Sequence, residues 1–120
     1  MKKERIYECM MVINPNKTSA NEEKAKKDVE EIFKNRGASI MYSEKWDDRK
    51  LAYPIKRFER GYYHLLYVQA EPGKINIMRR DIEMDEDILR YMITVKDEEF
   101  VVPKPGEPLF KRLENDGAGN

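Results

Sequence analysis

Residues 38–70 decide the fold. They run Ala38-Ser39-Ile40-Met41-Tyr42-Ser43-Glu44-Lys45-Trp46, then the charged interruption Asp47-Asp48-Arg49-Lys50, then Leu51-Ala52-Tyr53-Pro54-Ile55. The turn Lys56-Arg57-Phe58-Glu59-Arg60 follows, and Gly61-Tyr62-Tyr63-His64-Leu65-Leu66-Tyr67-Val68-Gln69-Ala70 closes the stretch. In the first run Ala, Ile and Tyr alternate with Ser, Met and Ser, the period of a strand, and Leu51–Ile55 is a candidate continuation of it. Residues 61–70 form a second strand, rich in aromatics. Two strands with only a charged turn between them make a hairpin at the centre of the chain.

Upstream, Ile6–Ile13 is almost continuously apolar, as in a central strand, and Asn14-Pro15-Asn16 ends it. Ser19-Ala20-Asn21-Glu22 fits a capping box. The helix it would open places Ala25, Val29, Ile32, Phe33 and Arg36 on one face, and Gly37 supplies a left-handed stop. Downstream, Pro72 suits a first helical turn, Ile75, Met78 and Ile82 recur at helical spacing, and Ile88–Val95 is a fourth strand. The order βαββαβ predicts an α+β, ferredoxin-like split βαβ fold: a four-stranded antiparallel sheet with two helices on one face.

Strand parity with Tyr7, Cys9, Met11 and Ile13 buried leaves Glu8, Met10 and Val12 on the helix-free face. Arg90 and Met92 join them if Tyr91, Ile93 and Val95 point inward. Residues 1–100 are expected to form one domain. Residues 101–120, with Pro103, Pro105, Pro108 and a Gly- and Asn-rich end, are expected to be a flexible tail anchored only by Leu109-Phe110.

Composition narrows the function. Charged residues make up 38% of the 120 residues, yet net charge is zero. Residues 1–60 carry fifteen Lys/Arg against eleven Asp/Glu, and residues 61–120 eight against twelve. Any contact with a polyanion must therefore be local. The single cysteine, Cys9, permits no intramolecular disulfide, and the apolar run 9–13 is too short to span a membrane. The expected location is the cytoplasm.

Catalytic and metal chemistry find little support. His64 and Cys9 are each the sole residue of their type, so no site needing two such ligands exists. Asp85-Glu86-Asp87 lacks the glycine and bidentate glutamate of a calcium loop and reads as a solvated turn. No glycine-rich phosphate loop or G-x-S-x-G elbow occurs. Pro15 removes an N–H that an acyl-phosphate cradle after the first strand would use. No enzyme activity, cofactor or small-molecule substrate is expected.

Residues 49–60 stand apart. Arg49, Lys50, Lys56, Arg57 and Arg60 surround Tyr53 and Phe58, with Glu59 the one acid. Cations for phosphate and aromatics for unpaired bases suit RNA. A charged hairpin that protects a sheet edge would look the same. Arg60–Tyr67 partly resembles the aromatic motif of RNA-recognition domains, but Tyr63 and His64 depart from it. A metabolite-binding regulatory domain that dimerises through its sheet is a further possibility for this topology.

Trp46-Asp47-Asp48-Arg49-Lys50-Leu51-Ala52-Tyr53-Pro54-Ile55 resembles the tryptophan-glycine-basic-basic-x-Leu-Ala-Tyr-Pro-Ile signature of the bacterial small ribosomal subunit protein six family. Tyr7-Glu8 through Asn14-Pro15-Asn16 is similar to that family's first strand and turn. Glu86-Asp87-Ile88-Leu89-Arg90-Tyr91-Met92 is similar to its fourth strand. The likeness runs from about residue 5 to residue 96. Asp47 and Asp48 depart from the pattern, standing where glycine and a basic residue are usual.

The resemblance implies the same split βαβ fold. It also implies a structural role on 16S ribosomal RNA, as a heterodimer with small-subunit protein eighteen among other small-subunit components. Expected RNA contacts are Lys2, Lys3, Arg5, Arg49, Lys50, Lys56, Arg57, Arg60 and Arg90. The expected protein-partner surface is Met10, Leu51, Tyr53, Met92, Leu109 and Phe110.

Overall fold

The computed structural model describes residues 3–104. Strands β1 (Arg5–Ile13), β2 (Ser39–Ile55), β3 (Phe58–Ala70) and β4 (Ile88–Val95) form one antiparallel sheet in the order β2-β3-β1-β4. Helices α1 (Pro15–Ala20), α2 (Glu22–Lys34) and α3 (Ile75–Met84, entered through a 3-10 turn at Pro72–Lys74) fill the connections. This is the predicted split βαβ fold. Its main core joins Val29 and Phe33 of α2 and Met78 and Ile82 of α3 to Tyr7, Cys9, Met11, Ile13, Leu66 and Val68 of the sheet, so both long helices share one face.

The expected capping box is not used. Asn14 caps α1 by accepting from the Asn16 N–H at 2.9 Å, with Pro15 preset for the first helical position. Ser19 and Ala20 are thereby drawn into this short helix. Asn21, extended at φ −163°, breaks the run and caps α2 by accepting from the Lys24 N–H at 3.0 Å. Gly37 does adopt the left-handed conformation, at φ +88°. The Asp85–Asp87 turn is structural as well as solvated. The Asp87 carbonyl accepts from the Asn14 N–H at 2.7 Å, and its carboxylate lies 3.3 Å from Lys17 Nζ.

The charged interruption at 47–50 does not split β2. Asp47, Asp48, Arg49 and Lys50 pair with Tyr63, Tyr62, Gly61 and Arg60, and three register shifts along β2 absorb the twist of so long a strand. The turn is correspondingly tight. Only Lys56 and Arg57 lie outside the strands, at φ +49° and +73°, and Phe58 already belongs to β3.

The helix-free face is covered in two places. After β4 the chain turns back, so that Phe100 lies 4.9 Å from the Tyr67 ring and Val102 joins a cluster with Tyr42, Leu65 and Tyr67. At the other end the β2–β3 hairpin arches over the sheet, burying Leu51 with Val12 of β1 and Leu89 of β4. Gly61 makes the arch possible: a Cβ there would lie 2.5 Å from Val12 Cγ1 and 3.2 Å from Leu51 Cδ2. Val12, expected on an open surface, is therefore buried.

Candidate RNA and protein interface

Placing Leu51 over Leu89 carries the rest of the hairpin toward the opposite edge of the sheet. Lys56 Nζ donates to the Ile88 carbonyl at 3.4 Å, and Arg90 Nη1 donates to the Tyr53 hydroxyl at 3.2 Å. Residues from the two outermost strands thus meet on the helix-free side. Around them lie Met92, 65% exposed, Tyr53, 60% exposed, and half-buried Met10. Met10, Val12, Tyr63, Arg90, Tyr91 and Met92 line a shallow depression of about 200 Å³. Leu51, named with this apolar patch, is 7% exposed and supports it from beneath. Leu109 and Phe110 lie outside the described residues.

The basic residues fall into two groups. Arg49 Nε is 2.8 Å from the Asp47 carboxylate, and its guanidinium sits 4.9 Å from the Trp46 ring. Arg60 Nη2 is 3.7 Å from Asp48. The two acids that depart from the usual motif therefore each hold one arginine of the hairpin. The Arg49 guanidinium and the Asp48 N–H in turn hold the Asp47 carboxyl below its ordinary range. By contrast, no hydrogen bond or ion pair to a described residue engages the Lys50 or Arg57 side chain, and that of Lys56 reaches only a carbonyl. All three are exposed. Lys3 pairs with Glu98 at the far end of β1, where Arg5 is half-buried. Those two do not join the hairpin cluster, and Lys2 lies outside the described residues.

An RNA-recognition platform is not built here. Tyr62 faces the helices and gives its hydroxyl proton to Glu22 at 2.5 Å. Tyr67 is buried beneath Phe100, and Tyr63 packs edge-on against Trp46. His64 is 1% exposed, with Nε2 2.8 Å from Ser43 Oγ. Burial pushes its imidazole down to about 4 and the Cys9 thiol up to about 12, so neither group is poised for chemistry near neutral pH. Among the described residues no group of three or more His, Cys, Asp or Glu could hold a metal, and no helix is long and apolar enough to cross a membrane.

The pairing of Tyr53 with Arg90 was not readable from spacing, because 37 residues separate them and only the arch brings them together. The Asp47–Arg49 pair was readable, since residues two apart on a strand share a face.

The family model described as ribosomal protein S6 matches residues 6–95. The small ribosomal subunit protein bS6 of Nitratiruptor sp. is 38% identical over 93 residues, covering 77% of this chain and 71% of that protein. The same-named protein of Halalkalibacterium halodurans is 41% identical over 99 residues, covering 79% and 99%. The crystal structure of 30S ribosomal protein S6 from Thermotoga maritima superposes with a TM-score of 0.69 over 98% of this chain and 100% of that one. At 24% identity, that likeness is one of fold.

Proposed function

The chain belongs to the ribosomal protein S6 family, and from that premise we propose that it binds 16S ribosomal RNA as a heterodimer with small-subunit protein eighteen. As a family member it is a structural, non-catalytic component of the small ribosomal subunit that binds ribosomal RNA, and it acts on cytoplasmic ribosomes. The carrying observation for the heterodimer is the adjacency of two unlike surfaces. Lys50 and Arg57, unpaired among the described residues, crown the hairpin with Lys56 between them, and the apolar patch of Met10, Tyr53 and Met92 lies beside them around Arg90.

A neutral protein with one local basic cluster has little phosphate affinity of its own. Contacts with a protein partner on the neighbouring patch add the partner's RNA contacts to its own. The assignment within the cluster is that Lys50, Lys56 and Arg57 meet phosphate. Arg49 and Arg60 keep the hairpin in shape through Asp47 and Asp48.

Titrating labelled 16S ribosomal RNA with this protein, with and without protein eighteen, tests the reading. A coupling of about 1–3 kcal/mol appears as affinity roughly 5–150-fold tighter with the partner present. Equal affinity in both titrations refutes the heterodimer. Replacing Lys50, Lys56 and Arg57 together should lower the log–log salt slope by roughly 2.7, the value for three phosphate contacts. The Arg49/Arg60 double variant should leave the slope nearly unchanged.

A further inference from the structure

The two edges of the sheet are unlike. β2 carries Lys45, Asp47, Asp48, Arg49, Lys50 and Pro54 together with three register shifts, all of which discourage another strand from pairing with it. β4 reads Ile88-Leu89-Arg90-Tyr91-Met92-Ile93-Thr94-Val95, with one charge and no proline, and it pairs with β1 without irregularity from Arg90 onward. The Lys96 N–H donates to the Ile6 carbonyl at 2.8 Å. Alternation along an antiparallel ladder then turns the N–H and C=O of Arg90, Met92 and Thr94 toward β1, and those of Tyr91, Ile93 and Val95 away from it. No hydrogen bond to a described residue uses these outward groups.

A depression flanks this edge on each side. One, of about 300 Å³, lies on the helix side between Lys56, Ile82, Glu83 and Tyr91. The other is the depression of about 200 Å³ beside Met10, Val12 and Met92. Arg90 and Tyr91 line both. Successive side chains of an extended segment laid along β4 point to opposite faces, so alternate ones enter the two depressions.

Charge selects among the possible occupants. Among the described residues Arg90 has only a tyrosine hydroxyl as its partner, and Lys56 only a carbonyl. The one acid at the rim, Glu83, is engaged by the Tyr91 hydroxyl. A segment carrying a carboxylate beside Arg90 completes the site. A second copy's β4 has no carboxylate within the strand, and in the chain's own tail Glu107 stands directly before Pro108, which cannot donate to a ladder, while the cations Lys111 and Arg112 separate Leu109-Phe110 from Glu114.

We propose that the outer edge of β4 accepts, as a fifth strand, an extended segment of the protein partner that is apolar at alternate positions and carries a carboxylate beside Arg90. This rests on the partner reading above and adds main-chain pairing to it.

Amide hydrogen exchange of the labelled full chain tests the proposal. Two probes are used: protein eighteen, and a short synthetic peptide with valine at alternate positions and one glutamate. Exchange at Tyr91, Ile93 and Val95 should slow by at least about tenfold on adding protein eighteen. Val95→Pro, which removes an outward N–H at an exposed residue, should weaken binding by about tenfold while keeping the fold. Protection by the peptide when protein eighteen does not bind would uphold the edge and refute the partner assignment. A complex that forms while these amides keep their free rates would overturn the fifth strand, as would no protection by either probe. Protection without any probe would also overturn it: dependence on protein concentration would assign the edge to a second copy, and loss on cutting the chain after Lys104 would assign it to the tail.

Discussion

The Arg90 guanidinium donates to the Tyr53 hydroxyl at 3.2 Å, and this one bond joins β4 to β2, the two outermost strands of the sheet. Both side chains are exposed, so the bond orients the Tyr53 ring more than it stabilises the fold. Tyr53→Phe should change unfolding free energy by less than about 1 kcal/mol. A double-mutant cycle with Arg90→Ala, read on affinity for protein eighteen, should give a coupling of about 0.5–1 kcal/mol. Zero coupling would show that the ring's orientation is irrelevant to docking.

The hairpin turn holds two cations where backbone geometry favours Asn-Gly. Left-handed backbone at Lys56 and Arg57 costs roughly 1–2 kcal/mol per residue. The double variant Lys56→Asn/Arg57→Gly should therefore raise the melting temperature by several degrees while weakening RNA association. Calorimetry and the salt titration read the two effects separately. A variant that is more stable and binds RNA unchanged would mean the turn cations make no phosphate contact.

His64 gives the domain an acid limit. Its folded value of about 4 lies below the ordinary 6.5. As pH falls below 6.5, the unfolded chain takes up a proton that the buried ring refuses, and stability declines until about pH 4. The loss over that window is about 3 kcal/mol. Denaturant melts of the protein and of His64→Phe between pH 4 and pH 7 should show the slope in the first and its absence in the second. Parallel curves would assign the acid sensitivity to other groups.

Phe100 lies over the Tyr67 ring beyond the last strand. Phe100→Ala should cost about 1–3 kcal/mol and expose Tyr67. A change below about 0.5 kcal/mol, measured by urea unfolding, would show that the packing of this segment carries no stability.

What the sequence disclosed follows period and chemistry. β4 matches its apolar run residue for residue, and Ile75, Met78 and Ile82 are all buried on α3. The capping box failed because Asn14 and Pro15 start an earlier helix, leaving Asn21 as the cap of the next one. The role of Val12 and Leu51 was hidden because parity assigns a residue to a face but does not say what later covers that face. Covering it required the arch, which depends on Gly61 and on a register that local pattern does not contain. The division of the hairpin cations into paired and unpaired was half legible: Asp47–Arg49 follows from spacing within one strand, whereas Asp48–Arg60 needs the pairing of two.

The arch also bears on the order in which the chain assembles. Lys56 and Ile88 are 32 residues apart, and Leu51 meets Leu89 in a cluster that also needs Val12 of β1, so that β1, β2 and β4 must all be in place. The hairpin itself is local and can close early, but its curl over the sheet waits for the most distant pairing in the chain. Contacts made this late lie on the native side of the folding barrier. Trimming Leu51 or Leu89 should therefore leave the folding rate almost untouched and appear as faster unfolding, making the arch a determinant of how long the folded state lasts.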